Sequence, residues 1–214
     1  HMLELCRKKK ASLVLLSSVE VYGACSSSEP IDEQRIGAID CLNIRNGYPL
    51  GKIGAEFLTY SYYKVYGCNV KTVRISAIQG LYQQYNEQRI FNEITRCVIE
   101  NRNLIMKSDG KSKKSIVYTL DAVSGILKVL FEGEEGEVYN ITNPQTFLSV
   151  KEFAEKIFAK FNDNVHIEFD LSSEAETGYL PHLEILQSTE KIARLGWKPI
   201  TDLYKIYETD LMRW

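Results

Sequence analysis

Short apolar runs alternate with longer amphipathic segments along this chain. The first run, residues 12–17 (Ser-Leu-Val-Leu-Leu-Ser), is almost uninterrupted by polar side chains. Such a run is typical of a strand in a parallel sheet whose two faces are both covered. We therefore predict that residues 12–17 form a strand that is buried on both faces. Further strands are predicted at Val70–Ile75, 104–107, Ser115–Thr119, Val138–Ile141 and Val165–Phe169.

Amphipathic segments between the strands predict helices. Residues 3–10 are read as the end of a helix, because the basic run Arg7–Lys10 suits the negative end of the helix dipole. Residues 49–66 are predicted to be helical, with one apolar face made by Leu50, Ile53, Phe57, Leu58, Ser61 and Val65. Other helices are predicted at 88–102, Asp121–Phe131, Val150–Phe161 and Glu190–Leu195, with a polar turn at Ser26–Pro30. The alternation predicts an α/β fold with a mainly parallel sheet.

Composition limits the classes of function. The chain has 214 residues, enough for one large domain or two small ones, with 44% hydrophobic and 25% charged residues. The formal charge of −2 gives no basic field, so nucleic acid is not an expected partner. No apolar run approaches the ~20 residues that span a bilayer, so no membrane partner is expected either.

Cysteine and histidine usage points away from disulfides and metals. The five cysteines are odd in number, widely spaced and free of a CxxC pair. We interpret them as reduced thiols of a cytoplasmic protein. His166 and His182 are isolated, with no ligand spacing around them, so no metal site is predicted.

The strongest chemical signal is a serine after the first strand followed by a Tyr/Lys pair. Ser18 follows the apolar run, and Tyr48-x-x-x-Lys52 opens the 49–66 segment. Residues four apart share a helix face, so the phenol and the ammonium are expected to be neighbours. Since Pro49 favours the first helical position, we predict that Tyr48 is the N-cap, with its phenol pointing off the helix end.

This arrangement suits removal of a proton from a secondary alcohol. A free tyrosine ionises near pH 10, and a nearby ammonium lowers such a pKa by roughly 1–3 units. The hypothesis is that Tyr48 abstracts the proton, Lys52 favours the phenolate, and Ser18 orients the substrate hydroxyl. Taken alone, the motif is also compatible with a structural tyrosine and a solvated lysine. The second match, Tyr60-x-x-x-Lys64, is assigned to core packing or an oligomer face.

The residues around these positions resemble the extended short-chain dehydrogenases, the NAD-dependent nucleotide-sugar epimerase/dehydratase family. The resemblance runs from Leu15 almost to the C-terminus. The segments that carry it are Leu15–Gly23, Tyr48–Glu56, Val73–Ile75 with Gly80, Ser108–Gly110 with Val117-Tyr118 and Asp121-Ala122, Gly136–Ile141 and Leu195–Pro199.

The resemblance implies a fold, a cofactor and a reaction. The implied fold is a Rossmann-like parallel sheet (1–76 and 116–142) with a smaller α/β substrate domain (77–115 and 143–214). In that family NAD oxidises the sugar of a nucleotide-diphosphate sugar at C4, Tyr and Lys handle the proton, and the ketone permits inversion, elimination or decarboxylation. Tyr48 and Lys52 would also contact NAD, and the 49–66 helix would form a homodimer.

Glu20 bears on the subclass within the family. In the family that the chain resembles, simple 4-epimerases usually have a small residue at this position, whereas sugar-nucleotide decarboxylases and 4,6-dehydratases have Glu. A carboxylate near the C5 proton suits elimination. A solvated glutamate at the edge of the loop is the alternative interpretation.

Other positions depart from the family pattern. Ala77 stands where an Asn or His usually contacts substrate, and Gln79 and Leu81 replace the usual Tyr and Pro. Lys114, assigned with Arg89 to substrate binding, replaces an arginine expected at the diphosphate, although Lys111, Lys113 and Lys114 also fit a solvated hairpin. Asp121 is interpreted as the cap of the following helix.

The Gly-rich phosphate loop of the family is not found. Gly47-x-x-x-Gly51-x-x-Gly54 imitates a dinucleotide fingerprint, but a polar segment instead of a strand precedes it, so we regard it as a decoy. The chain is therefore expected to lack the N-terminal Gly-rich half of a longer parent and to bind NAD poorly alone. A catalytically inactive relative that serves as a binding, regulatory or dimerisation module is the alternative function.

Overall fold

A computed structural model describes residues 1–25, 29–172 and 183–214. The turn residues Ser26–Ser28 and His182 therefore lie outside the described residues. The helices are α1 (Met2–Lys9), α2 (Gly47–Tyr66), α3 (Ile90–Glu100), α4 (Thr119–Glu132), α5 (Val150–Phe161), α6 (Glu190–Ala193) and α7 (Leu203–Leu211). The strands are β1 (Leu13–Ser18), β2 (Val70–Ile75), β3 (Ala77–Gln79), β4 (Leu104–Met106), β5 (Lys113–Lys114), β6 (Ile116–Tyr118), β7 (Val138–Ile141), β8 (Leu148–Ser149) and β9 (Ile167–Phe169).

The main sheet is parallel, as the alternation of strands and helices predicted. Its order is β1-β2-β7, and both pairings are parallel. Central strand β2 is buried along its whole length, as expected for a strand with neighbours on both sides. Helices α2 and α4 both pack against β1 and β2. The carboxyl ends of the three strands share one edge of this sheet, which is where α/β folds bind ligands.

Three two-stranded sheets complete the described fold. They are β3-β6 and β4-β9, which are parallel, and β5-β8, which is antiparallel. Strand β6 separates two hydrophobic clusters, because Ile116 and Tyr118 pack in one and Val117 in the other. The second cluster includes Ile192 and Trp197, so this late segment of the chain packs beside the main sheet, whereas the last helix, α7, packs in the first cluster. The division into a cofactor domain and a substrate domain stays a prediction.

The burial predicted for the first strand is wrong in part. Leu13, Val14 and Leu15 are half-buried, and 47% of Leu16 is exposed. Strand β1 is at the edge of the described three-stranded sheet, with β2 as its single partner. Only Ser17 and Ser18, at its carboxyl end, are fully buried.

The apolar face predicted for the 49–66 helix is buried only in part, because Leu50, Ile53 and Ser61 are half-buried and the rest of the face is exposed. Phe57 and Val65 are 67% and 68% exposed, and Leu58 is exposed as well. The buried positions of α2 include Pro49 and Thr59. The helix instead directs polar side chains toward the sheet: Lys52 bonds to the Leu16 carbonyl oxygen of β1, and Glu56 pairs with Arg74 of β2.

Asp121 is not the cap of its helix. The N-cap of α4 is Tyr118, and Asp121 is buried in the first turn, where its Oδ2 accepts hydrogen bonds from the backbone N–H groups of Ile200 and Thr201. This carboxylate therefore stabilises the position of the segment before α7, a helix that was not predicted.

All five cysteines are free thiols. No helix in the described ranges combines the length and the hydropathy required to cross a membrane.

Candidate functional site

Helix α2 begins before the predicted residue. A 3-10 turn at Ile44–Asn46 leads into it, Asn46 is the N-cap, and Tyr48 lies in the first helical turn. The predicted N-cap position of Tyr48 is therefore wrong. Pro49 is tolerated in this turn because the first N–H groups of a helix have no intrahelical partner. The three glycines of the apparent fingerprint, Gly47, Gly51 and Gly54, lie inside α2 and do not form a phosphate loop.

Tyr48 and Lys52 are neighbours, as their spacing predicted. The Lys52 Nζ lies 5.6 Å from the centre of the Tyr48 ring. The same ammonium donates a hydrogen bond of 2.8 Å to the carbonyl oxygen of Leu16 in β1. Tyr48 is 54% exposed, so its phenol is accessible to a ligand. The lysine therefore joins the start of α2 to the end of β1.

Ser18 begins the turn that follows β1. It is the N-cap of the 3-10 helix Val19–Tyr22, and its Oγ accepts a hydrogen bond of 3.2 Å from the backbone N–H of Glu20. The Glu20 side chain is exposed. Gly23 ends the turn with a φ of 57°, and a Cβ there would lie 2.6 Å from the Ala38 carbonyl oxygen. The turn is thus held tightly at both ends.

The two motifs meet at the carboxyl edge of the main sheet. Ile53, one residue after Lys52, packs against the small cluster of Val21, Tyr22 and Ile31. Together with the Lys52–Leu16 hydrogen bond, this contact fixes the start of α2 against the turn that carries Ser18 and Glu20. An exposed phenol, an ammonium and a carboxylate thus occupy the same edge, a combination suited to proton transfer.

Three residues behind this edge were not assigned a role from the sequence. Glu56, one turn after Lys52, pairs with Arg74 of β2, and their side chains are 10% and 4% exposed. Ser17 donates a hydrogen bond of 2.5 Å to Glu56 Oε1. Tyr48, Lys52 and Glu56 are spaced four residues apart, which places all three on one face of a helix. This spacing is the sequence signal from which Glu56 could have been assigned to the site.

A buried polar network continues from Arg74. Its guanidinium lies 4.9 Å from the centre of the Tyr22 ring, and the Tyr22 hydroxyl donates to Asn140 Oδ1 at 2.7 Å. Gln187 donates to the same oxygen and to the Arg74 carbonyl. Burial raises the pKa of Tyr22 to about 12, so this phenol is a neutral donor and not a second base.

The predicted substrate residues lie on other elements. Lys114 is exposed in β5, opposite Leu148 of β8. Arg89 is the N-cap residue of α3 and forms an ion pair with Glu87. The structure does not bring either of them into the group around Tyr48. Within residues 1–25, 29–172 and 183–214, no cluster of three His, Cys, Asp or Glu side chains is arranged to hold a metal ion.

Comparisons with known proteins agree with this architecture. The model of the NAD dependent epimerase/dehydratase family matches residues 1–142. UDP-glucuronic acid decarboxylase 2 of Arabidopsis thaliana is 28% identical over 207 residues, which cover 95% of this chain and 44% of that protein. UDP-glucuronic acid decarboxylase 1 of Danio rerio is 27% identical over 203 residues, with 95% and 47% covered. The chain spans about half the length of the curated relatives it matches.

Solved structures show the same fold. The dTDP-glucose 4,6-dehydratase of Bacillus anthracis, in complex with NAD, superposes with a TM-score of 0.80 at 24% identity, covering 99% of this chain and 64% of that one. The UDP-glucose 4-epimerase of Thermotoga maritima, with UDP-glucose, also gives 0.80, at 17% identity, covering 99% of this chain and 66% of that one. The Rossmann-like fold expected from the sequence is thereby confirmed.

Proposed function

The chain belongs to the NAD dependent epimerase/dehydratase family, and from this premise we propose that its parent protein modifies a nucleotide-diphosphate sugar through a transient 4-keto intermediate. The observation that carries the proposal is the placement of Tyr48 and Lys52 beside the end of β1. An accessible phenol next to an ammonium is the part of the reaction that this chain can supply.

The residues at this edge fit a nicotinamide cofactor. Lys52 has three N–H donors, and among the described residues one of them is used by the Leu16 carbonyl. The remaining donors and the exposed Tyr48 phenol suit the hydroxyl groups of a ribose. When bound, NAD supplies reversible hydride acceptance. Tyr48 and Lys52 are the residues that would hold it.

Tyr48 is proposed as the group that takes and returns the proton of the sugar hydroxyl. The Lys52 ammonium, 5.6 Å from the ring centre, and the N-terminal turn of α2 both place positive potential beside the Tyr48 side chain, where negative charge would develop during proton transfer. Ser18 Oγ, held at the end of β1, orients the same hydroxyl. Each of these roles uses a side chain at or beside the end of β1.

Glu20 favours decarboxylase- or dehydratase-like chemistry over simple epimerisation. Its carboxylate is exposed on the turn next to Ser18 and can take a proton from the sugar ring. The curated relatives reported above are named as UDP-glucuronic acid decarboxylases, which supports the same subclass. Lys114 and Arg89 are proposed to contact the diphosphate as positive charges, with Lys114 lacking the bidentate fork of an arginine.

A homodimer through α2 is part of the proposal. Phe57, Leu58, Tyr60, Val65 and Tyr66 are all exposed on this helix. An apolar and aromatic surface of this kind is typical of an interface. The same surface favours the second candidate function, a catalytically inactive relative that acts as a binding, regulatory or dimerisation module.

The test uses the protein encoded by the complete reading frame that contains these residues. NAD is supplied with UDP-glucose, UDP-glucuronate or dTDP-glucose, and products are identified by mass spectrometry. We expect conversion of at least one sugar, and a kcat lowered about 10²- to 10⁴-fold in Tyr48→Phe. Tyr60→Phe is the matched control, because Tyr60 and Lys64 form the same contact toward the end of α2 and the substitution keeps the aromatic ring of the proposed interface. Equal rates of wild type and Tyr48→Phe on every substrate would refute the enzymatic function.

A further inference from the structure

Glu56 binds two strands of the main sheet at once. Its Oε1 accepts hydrogen bonds from Ser17 Oγ at 2.5 Å and from Arg74 Nε at 3.1 Å, and its Oε2 accepts one from Arg74 Nη2 at 2.8 Å. Ser17 and Arg74 are direct partners in the β1–β2 register. One carboxylate on α2 therefore spans both strands at the same level of the sheet.

The bound serine is the neighbour of the proposed catalytic serine. Successive side chains of a strand point to opposite faces, so Ser17 and Ser18 cannot exchange roles. Ser17 donates to Glu56, whereas Ser18 accepts from the Glu20 N–H. A link to Ser17 thus controls where the end of β1 lies relative to α2.

Arg74 extends the link to the turn that carries Glu20. Its Nη1 donates to the Glu33 carbonyl oxygen at 2.9 Å, and its guanidinium packs over the Tyr22 ring. Tyr22 is the last residue of the Val19–Tyr22 turn. Through Glu56, Arg74 and Ser17, the helix with the proposed base is joined to both the serine and the turn.

We propose that Glu56 is a positioning residue, which sets the distance between the Tyr48/Lys52 face of α2 and the Ser18–Glu20 segment. The inference rests on the proposed function. Glu56 lies two turns after Tyr48 and is buried behind the reacting edge, so it acts through Ser17 and Arg74 and not on the sugar. Since small displacements of reacting groups lower the rate of the chemical step strongly, the link should affect kcat.

The sharpest variant is Ser17→Ala, because it removes one hydrogen bond and leaves the Glu56–Arg74 ion pair in place. In the complete protein we expect kcat to fall about 10- to 100-fold while KM changes less than about 2-fold. Ser61→Ala, on the helix that carries Glu56, is the matched control, because the one described hydrogen bond of the Ser61 hydroxyl goes to the Phe57 carbonyl oxygen of the same helix. A purely structural role would lower the melting temperature and leave the kcat of the folded enzyme unchanged, and that result would overturn the inference.

A second measurement separates this inference from the proposed function. Hydrogen–deuterium exchange of the same proteins, read by mass spectrometry, should be faster in Ser17→Ala for peptides covering Ser18–Gly23 and Gly47–Glu56, and unchanged there in Ser61→Ala. If wild type converts no sugar, the proposed function fails and the exchange result alone decides whether Glu56 couples the two segments. If wild type is active but Ser17→Ala exchanges and turns over like wild type, only the positioning role fails.

Discussion

The ammonium of Lys52 donates a 2.8 Å hydrogen bond to the carbonyl oxygen of Leu16, a residue 36 positions earlier in the chain. The bond crosses from the first turns of α2 to the end of β1 and holds the lysine beside the Tyr48 ring. A lysine that is directed by a strand carbonyl has a defined position, whereas a solvated surface lysine samples many rotamers.

Lys52→Met is expected to lower kcat about 10²-fold or more, because the phenol of Tyr48 loses its electrostatic partner. Binding of NAD should weaken as well, which equilibrium titration of the complete protein can measure. Lys64→Met removes an equivalent contact with Tyr60 and Tyr63 and serves as the control. A loss of activity of the same size in Lys64→Met would mean that general damage to α2, and not the Lys52 site, is responsible.

Glu20→Ala should separate the two halves of the reaction. Hydride transfer should persist, because Tyr48, Lys52 and Ser18 are untouched, while elimination or decarboxylation slows about 10²-fold. Rapid-mixing absorbance follows the first half, and mass spectrometry follows the product. Full product formation in Glu20→Ala would remove the decarboxylase or dehydratase preference and leave the epimerase chemistry open.

The Glu56–Arg74 pair should show strong energetic coupling. Removing one partner of a buried ion pair leaves an uncompensated charge, which costs about 3–5 kcal/mol of the free energy of unfolding. The variants Glu56→Met, Arg74→Met and their combination are compared by urea unfolding. The double variant should lose much less than the sum of the two single losses, and additivity within about 0.5 kcal/mol would contradict the coupling.

Asp210, on the C-terminal helix α7, should make the stability of the protein pH-dependent. Burial raises the pKa of this carboxyl group above its usual value, although Thr95 and Gln79 donate hydrogen bonds to it. The neutral Asp210 side chain contributes to the free energy of unfolding below the unfolded-state pKa. This contribution is lost as pH rises through the folded-state pKa. Asp210→Asn should therefore gain stability relative to wild type as pH increases from about 4 to 7.

The measurement for Asp210 is urea unfolding of both proteins across this pH range. Asp170→Asn is a control of opposite sign, because the hydroxyl of Ser172 lowers the pKa of Asp170. Its effect on stability should be constant from about pH 4 to 7 and should disappear only as pH falls below about 4, through the lowered folded-state pKa. A constant difference between Asp210→Asn and wild type at every pH would contradict the assignment.

Ser149 should contribute to the stability of α5 through its capping box. Its Oγ accepts from the Glu152 N–H, and the Glu152 carboxylate accepts from the Ser149 N–H. Ser149→Ala is expected to cost about 1 kcal/mol of unfolding free energy in a urea titration. Ser149→Thr keeps the cap and should recover most of the loss. Equal stability of Ser149→Ala and wild type would show that the cap is dispensable.

The local pattern of the chain was sufficient for much of the fold. Strands Val70–Ile75 and Val138–Ile141 and helix Val150–Phe161 have the predicted bounds, because a buried strand and a capped amphipathic helix are defined by residues close in sequence. The proximity of Tyr48 and Lys52 followed from helical spacing alone. The family was predicted from several motifs in a fixed order along the chain, from Leu15–Gly23 to Leu195–Pro199, and the family model confirms it.

Only the tertiary structure decided which distant groups meet. The partners of Glu56 lie 39 residues before it in the chain, at Ser17, and 18 after it, at Arg74, and their pairing depends on strand register. The contact of Asp121 with the Thr201 backbone and the exposure of Phe57 also depend on how elements pack. Sequence periodicity specifies which residues share a face of one element. It does not specify what lies opposite that face, because that is set by the packing of segments far apart in the chain.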